Sequence, residues 1–155
     1  MLNIQIVAVG KLRASMREAA DEYLRRLRRY ARVTELEVRE AGKAGNAAAQ
    51  RRSEAAAISG AVAPAAMTVA LARTGDGWSS RELAHRLGVW RDQSRTVAFL
   101  VGGAEGLAPE LIEGAAHRLS LGPLTLPHEL ARVVVIEQLY RAGTILTGEK
   151  YHKGS

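Results

Sequence analysis

The chain has 155 residues, a formal net charge of +6, no cysteine, 47% hydrophobic and 25% charged residues. That is the composition of one globular domain, 1–155, long enough to bury a core. Without cysteine there are no disulfides, thiolate metal sites or cysteine nucleophiles. The four histidines have no metal-ligand spacing, and no run suits a signal peptide or membrane span. The expectation is a cytoplasmic protein using neither metal nor membrane.

The charge is uneven, with twelve Lys/Arg against seven Asp/Glu in residues 1–60, +5 of the total. A basic half (1–60) joined to a nearly neutral, glycine-rich half suggests a polyanion gripped by one part and chemistry done by the other. Leu2–Val9 alternates, then becomes continuously apolar, and predicts a first strand closed by Gly10-Lys11. Lys11 is a candidate phosphate contact at that sheet edge. Ser15-x-x-Glu18 predicts a capping box opening a helix, with Met16, Ala20, Tyr23, Leu24, Leu27 and Tyr30 at helical spacing. Arg25, Arg28, Arg29 and Arg32 fall mainly on its other face, with Arg26 at the border. Counterion release rewards such clustering at RNA phosphates. Arg25, Arg26 and Arg29 are therefore RNA candidates, joined by Lys43 from the polar loop 41–46.

Val33–Arg39 alternates as a half-exposed strand, and Asn46 is the N-cap candidate for an alanine-rich helix to about Gly60. Met67–Leu71 predicts a third, buried strand. Ser79-x-x-Glu82 is a second capping box, opening a helix through about Trp90. Val97–Val101 is the fourth strand, Pro109–Arg118 a helix begun by proline, Leu119–Leu121 a short fifth strand, and His128–Leu146 the last long helix. Strands alternating with helices predict an α/β fold with a mainly parallel sheet.

Two stretches in the second half point to a ligand. Gly102-Gly103 follow a buried strand, which places free backbone N–H groups at the carboxyl edge of the sheet, where open α/β sheets bind ligands. Leu121–Pro127 is an apolar loop, rigid at Pro123 and Pro127, whose polar groups apart from Thr125 are backbone amides and carbonyls. It suits a ligand, such as an adenine, that wants dry walls and hydrogen bonds along one edge. The spacing does not suit a nicotinamide dinucleotide site, because no acidic residue follows at the right distance.

Taken together, FLVGGAEGL (99–107), LSLGPLTLPHELARVVVIEQLYRA (119–142) and the terminal YHK (151–153) resemble the RlmH-type methyltransferases of the trefoil-knotted SPOUT class. The likeness begins at VAVGK (7–11) and EYLRRL (22–27) and covers nearly the whole chain. It implies methylation of a large-subunit ribosomal RNA pseudouridine at ring nitrogen 3, on free RNA or the assembled ribosome, with S-adenosylmethionine as cofactor. It further implies a homodimer, a knotted region over about 97–147 and an active-site tail over 148–155. The cofactor residues implied are Leu71, Gly102, Gly103, Gly122, Pro123, Leu124, Thr125, Leu126 and Pro127. An acidic residue usual after the third strand is replaced by Ala72-Arg73, a usual Trp by Gly143 and a usual Pro by Lys150. The alternative class is a non-catalytic RNA- or nucleotide-binding module built from the same parts.

Methyl transfer to a ring imide needs an in-line nucleophile and relief of its proton. Glu137 and Arg141 stand four apart on the last helix, an ordinary ion-pair spacing in unusually apolar surroundings. Tyr151, His152 and Lys153 would ordinarily be a frayed end. In the resembled family this tail completes an active site at a homodimer interface, in its own subunit or its partner. His152 is then the candidate base near neutral pH, Tyr151 a stacking or hydrogen-bonding group, and Lys153 a phosphate contact. The apolar residues around the last helix (Val133 to Ile136, Leu139, Tyr140) suit a dimer interface or burial within one protomer.

Overall fold

A computed structural model describes residues 1–42 and 45–153, so Lys43 lies outside the described residues. The elements run β1 (Leu2–Val9), α1 (Ala14–Leu27), β2 (Ala31–Val38), α2 (Ala47–Ala61), β3 (Met67–Asp76), α3 (Ser80–Asp92), β4 (Thr96–Val101), α4 (Pro109–Gly114), β5 (His117–Leu119) and α5 (His128–Leu146). The strands form one sheet in the order β2-β1-β4-β3-β5, with every pairing parallel. All strand carboxyl ends therefore lie along one edge.

The period of two in β1 divides the core. Ile4, Ile6 and Ala8 meet Leu24, Leu87, Ile136 and Leu139 under α1, α3 and α5. Val7 and Val9 face the other way, with Ile58, Ala98, Leu100 and Leu107 under α2 and α4. Burial on both faces explains why β1 and β4 are apolar almost throughout. Helix α5 is flanked by α1 and α3, and Val135, Ile136 and Leu139 are each at most 2% exposed. Of the apolar residues around α5, all but half-buried Val134 are thus buried inside one protomer, and their pattern does not itself call for a partner.

Asn46 caps α2 by accepting from the Ala49 amide at 2.9 Å, and Ser79 with Glu82 forms the expected reciprocal box. The box expected at Ser15 does not form. Helix α1 starts two residues earlier, at Ala14, and its cap residue Arg13 donates its backbone N–H to Glu129 of α5 at 2.6 Å. A carboxylate 116 residues away replaces the local cap. The fifth strand is His117–Leu119 rather than 119–121, because α4 stops at Gly114 and His117 pairs with Val69 of β3. β3 runs past Leu71 through an irregularity to Asp76, whose partner is Leu119. Gly75 makes that crossing possible, since a Cβ there would lie 2.7 Å from the Arg118 carbonyl carbon.

Candidate active site

The turn after β4 and the loop before α5 converge at the carboxyl edge of the sheet around a cleft of about 340 Å³. Leu71, Gly102, Gly103, Gly122, Leu124, Thr125 and Leu126 line it, joined by Glu105, His128 and Ala131. Pro123 and Pro127 do not line it; Pro127 stands at the cap position of α5 instead. Neither ring is a wall of the cleft, so both act on the shape of the loop. The glycine turn is closed by the Gly106 N–H donating to the Gly103 carbonyl at 3.0 Å. A Cβ on Gly102 would lie 2.5 Å from the Gly106 carbonyl carbon, so the turn itself requires glycine. A Cβ on Gly103 would meet the Val9 side chain at 3.0 Å and Glu54 at 3.5 Å, on the α2 side. Bulk at Gly103 would therefore disturb β1 and α2 and is no clean way to fill the cleft.

The walls are mostly aliphatic, with Arg73 and Glu105 as charged side chains. Where the resembled family carries an acid beyond the third strand, the acid in this cleft comes from the opposite, glycine-turn wall. Beneath the cleft, Arg132 is 1% exposed and donates to the carbonyls of Val9 at 3.1 Å and Gly10 at 2.8 Å, and to Glu37 at 2.5 Å. Arg17 joins Glu35 and Glu37 from the other side, and its bond to Glu35 raises its already high pKa. Sequence reasoning passed over Arg132 because an arginine within an apolar helix has the appearance of a snorkelling surface residue. The segment 119–122 also borders a larger cavity, about 480 Å³, under Trp78 and Val134. The 340 Å³ cleft is the better ligand site because the glycine turn and the Pro-rigid loop meet there with backbone polar groups.

The four catalytic candidates come together elsewhere. Arg141 pairs with Glu137 at 2.5 Å, the Tyr151 hydroxyl donates to the same Glu137 oxygen at 3.0 Å, and Gln138 donates to the other at 2.8 Å. With three donors converging on its two oxygens, Glu137 organises the cluster. Its bond and partial burial push the Tyr151 hydroxyl up to about 12, burial contributing most. The Arg141 guanidinium lies 4.8 Å over the Tyr151 ring, and the Tyr140 ring stands 4.6 Å from it. Arg141 Nη1 approaches His152 Nδ1 at 3.4 Å, while His152 Nε2 is buried without a partner. Guanidinium only donates, so a neutral His152 ring in this contact carries its proton on Nε2.

None of these four residues lines the cleft of its own chain. Ala131, on the cleft, and Arg141 are ten residues apart on α5, about 15 Å along the helix axis. Arg26 belongs to the tail end as well, bonded to Glu22 at 2.6 Å and 5.7 Å from both the Tyr23 and Tyr140 rings. Arg25, Arg29 and Lys153 are exposed, and Arg29 lies over Tyr30. Lys11 is exposed at the opposite end of α1, just past the carboxyl end of β1. The RNA candidates thus divide between the two ends of the sheet. His128, the first residue of α5, makes no cap hydrogen bond and lines the cleft. His117 is wedged between Trp78 and Trp90 at 5.9 and 5.3 Å; burial, then Arg86 and Arg118, lower its pKa. Among the described residues no group of three or more His, Asp or Glu could hold a metal ion. Nor is any described helix long and apolar enough to cross a membrane.

The family model of predicted SPOUT methyltransferases matches residues 2–152. A protein of Anaeromyxobacter dehalogenans strain 2CP-1 named ribosomal RNA large subunit methyltransferase H is 43% identical over 153 residues, covering 98% of this chain and all of that one. A protein of the same name from Nitratidesulfovibrio vulgaris strain DP4 is 40% identical over 154 residues, covering 98% and 99%. Among solved structures, a probable methyltransferase from Bordetella pertussis Tohama I superposes with TM-score 0.56 at 18% identity, over 91% of this chain and 96% of that one. A probable methylase family protein from Haemophilus influenzae Rd KW20 gives 0.57 at 16% identity, over 97% and 68%. At such identities the structural likeness speaks for the fold.

Proposed function

The chain belongs to the SPOUT methyltransferase family, and from that premise we propose that it methylates ring nitrogen 3 of a pseudouridine in large-subunit ribosomal RNA, using S-adenosylmethionine. The observation that carries this reading is the pairing of the glycine-turn cleft with an Arg141–His152–Tyr151 cluster in a chain 43% identical to a protein so named. A volume of 340 Å³ falls in the usual range of about 300–1,000 Å³ for small-molecule sites. Aliphatic walls and a turn that admits no Cβ at Gly102 suit a flat, partly apolar nucleoside. Leu71, Gly102, Gly103, Gly122 and Leu124 to Leu126 would hold it in this reading, with Pro123 and Pro127 shaping the loop and Glu105 offering a carboxylate. When bound, the cofactor supplies an electrophilic methyl group.

The protein's own part is binding, orientation and charge. Arg141 stabilises negative charge as the imide proton leaves. His152 lies beside it; its Nε2 is buried without a partner in this chain alone, and would donate to the ring in this tautomer, or take the imide proton in the other, once the bound ring reaches it. Glu137 and Tyr151 hold Arg141 in place. Because these groups lie away from their own chain's cleft, the reading includes a homodimer whose tails complete each other's sites. It also includes one domain over 1–155, a trefoil knot in the 97–147 region and a cytoplasmic location.

Calorimetry with S-adenosylhomocysteine separates this from a non-catalytic RNA-binding module: heat on binding supports the enzyme, and silence with RNA still bound refutes it. Mass mapping of ribosomal RNA from a deletion strain then tests the nucleotide. An unchanged pseudouridine mass would remove the proposed substrate.

A further inference from the structure

We propose that Tyr30, from the turn between α1 and β2, is a positioning residue that anchors the active-site tail through Glu149; the proposal rests on the methyl-transfer reading above. Tyr30 lies on the backbone of α5 at Gly143. A Cβ on Gly143 would stand 2.7 Å from its Cγ, 2.8 Å from its Cδ2 and 3.0 Å from its Cβ. The missing side chain lets the ring lie flat against the helix and brings its hydroxyl to the far end. There it donates to Glu149 Oε1 at 2.6 Å, and the Thr147 hydroxyl meets the same oxygen at 3.2 Å. The Glu149 amide donates to the Thr144 carbonyl at 2.9 Å, closing the turn through Gly148 at φ +74°.

Glu149 is two residues before Tyr151, so the tail is fixed at two points. Tyr151 and His152 meet Glu137 and Arg141 at one, and Tyr30 holds the start of the tail at the other. Between them only exposed Lys150 intervenes, so the anchor sets where the Tyr151–His152 pair can reach. The bond is built to persist through the working pH range. Burial and the carboxylate push the Tyr30 hydroxyl up to about 12, and the hydroxyl holds Glu149 below the usual carboxylate range.

Tyr30→Phe keeps the ring on Gly143 and removes only the bond. Hydrogen–deuterium exchange of amides 149–153, without cofactor or RNA, should accelerate about tenfold, the worth of one such bond. The kcat for methyl transfer should fall by a similar factor, while S-adenosylhomocysteine affinity stays unchanged. Glu149→Ala should reproduce this. Glu149→Gln, which keeps an acceptor, should recover most of it. Unchanged tail exchange in Tyr30→Phe would overturn the anchor, and faster exchange with unaltered kcat would overturn the positioning role. A native chain that transfers no methyl group would overturn the proposed function, and the exchange rates alone would then decide the anchor.

Discussion

The two ends of α5 carry two kinds of site. At its start, the cleft is made of shape: glycines that admit no side chain, aliphatic walls and backbone polar groups. At its end, the tail cluster is made of charge and hydrogen bonds, with a carboxylate, a guanidinium, a phenol and an imidazole in mutual contact. A site made of shape should be damaged by added volume and be indifferent to the loss of a functional group. A site made of charge should respond the other way. If the division is right, cofactor affinity and turnover can be altered separately.

The sharpest separation is His152→Ala. Turnover should fall by roughly 10²–10⁴ if the ring takes the proton and by much less if it only donates from Nε2, with cofactor affinity unchanged in both cases. Mixed with an Ala131→Phe chain, whose cleft is filled, it should regain activity at one of the two sites of a heterodimer. No recovery, with mixed dimers shown to form, would put the tail in its own chain's site or outside the chemistry.

The cleft end has two buried charged residues, Arg132 and Glu54, and Arg132→Met tests whether the first is structural. It would leave the Val9 and Gly10 carbonyls without their donor and Glu37 with Arg17 alone. Removing one partner of a buried network costs about 3 kcal/mol at the low end of such cases, read as a lower denaturation midpoint. A loss below about 0.5 kcal/mol would mean that the carbonyls find water.

These tests bear on what could be read before the structure. Strand and helix alternation was legible because Asn46, Ser79, Pro109 and the all-apolar strands each carry a local physical signal, and those signals act within four residues. The start of α1 was not, because the contact that ends it comes from Glu129, far along the chain. The grouping of Glu137 with Arg141 follows from helical spacing, whereas Tyr151 joins them only because the chain turns back at Gly148. Arg132 and the Tyr30–Gly143 contact depend on tertiary packing, so neither leaves a pattern in sequence.

A smaller effect sharpens the cleft side. Ala131→Phe adds a ring from the first turns of α5 into space bounded by the glycine turn. S-adenosylhomocysteine should bind at least about tenfold more weakly, or 1.4 kcal/mol, with melting temperature retained. Equal affinity in the folded variant would show that the ligand sits elsewhere, the 480 Å³ cavity being the first place to look.

The smallest predicted effect concerns pH, and it should appear only at the tail end. Tyr30 and Tyr151 are each raised from 10.0 to about 12, burial being the larger cause and a carboxylate the next. Between those values the unfolded chain gives up phenolic protons that the folded chain keeps, so unfolding becomes easier as pH rises. The stability these groups contribute is therefore complete below pH about 10 and lost as pH climbs through about 12. Partial exposure and solvent screening limit it to less than about 1 kcal/mol for each group. Amide protection at 149–153, the intrinsic base-catalysed rate divided by the observed exchange rate, should fall over this window, and Tyr30→Phe or Tyr151→Phe should flatten the fall. Protection at 101–107, in the glycine turn of the cleft, should not share it. If both ends loosened together over the same pH range, α5 would be melting as one unit and the two sites would not be separable.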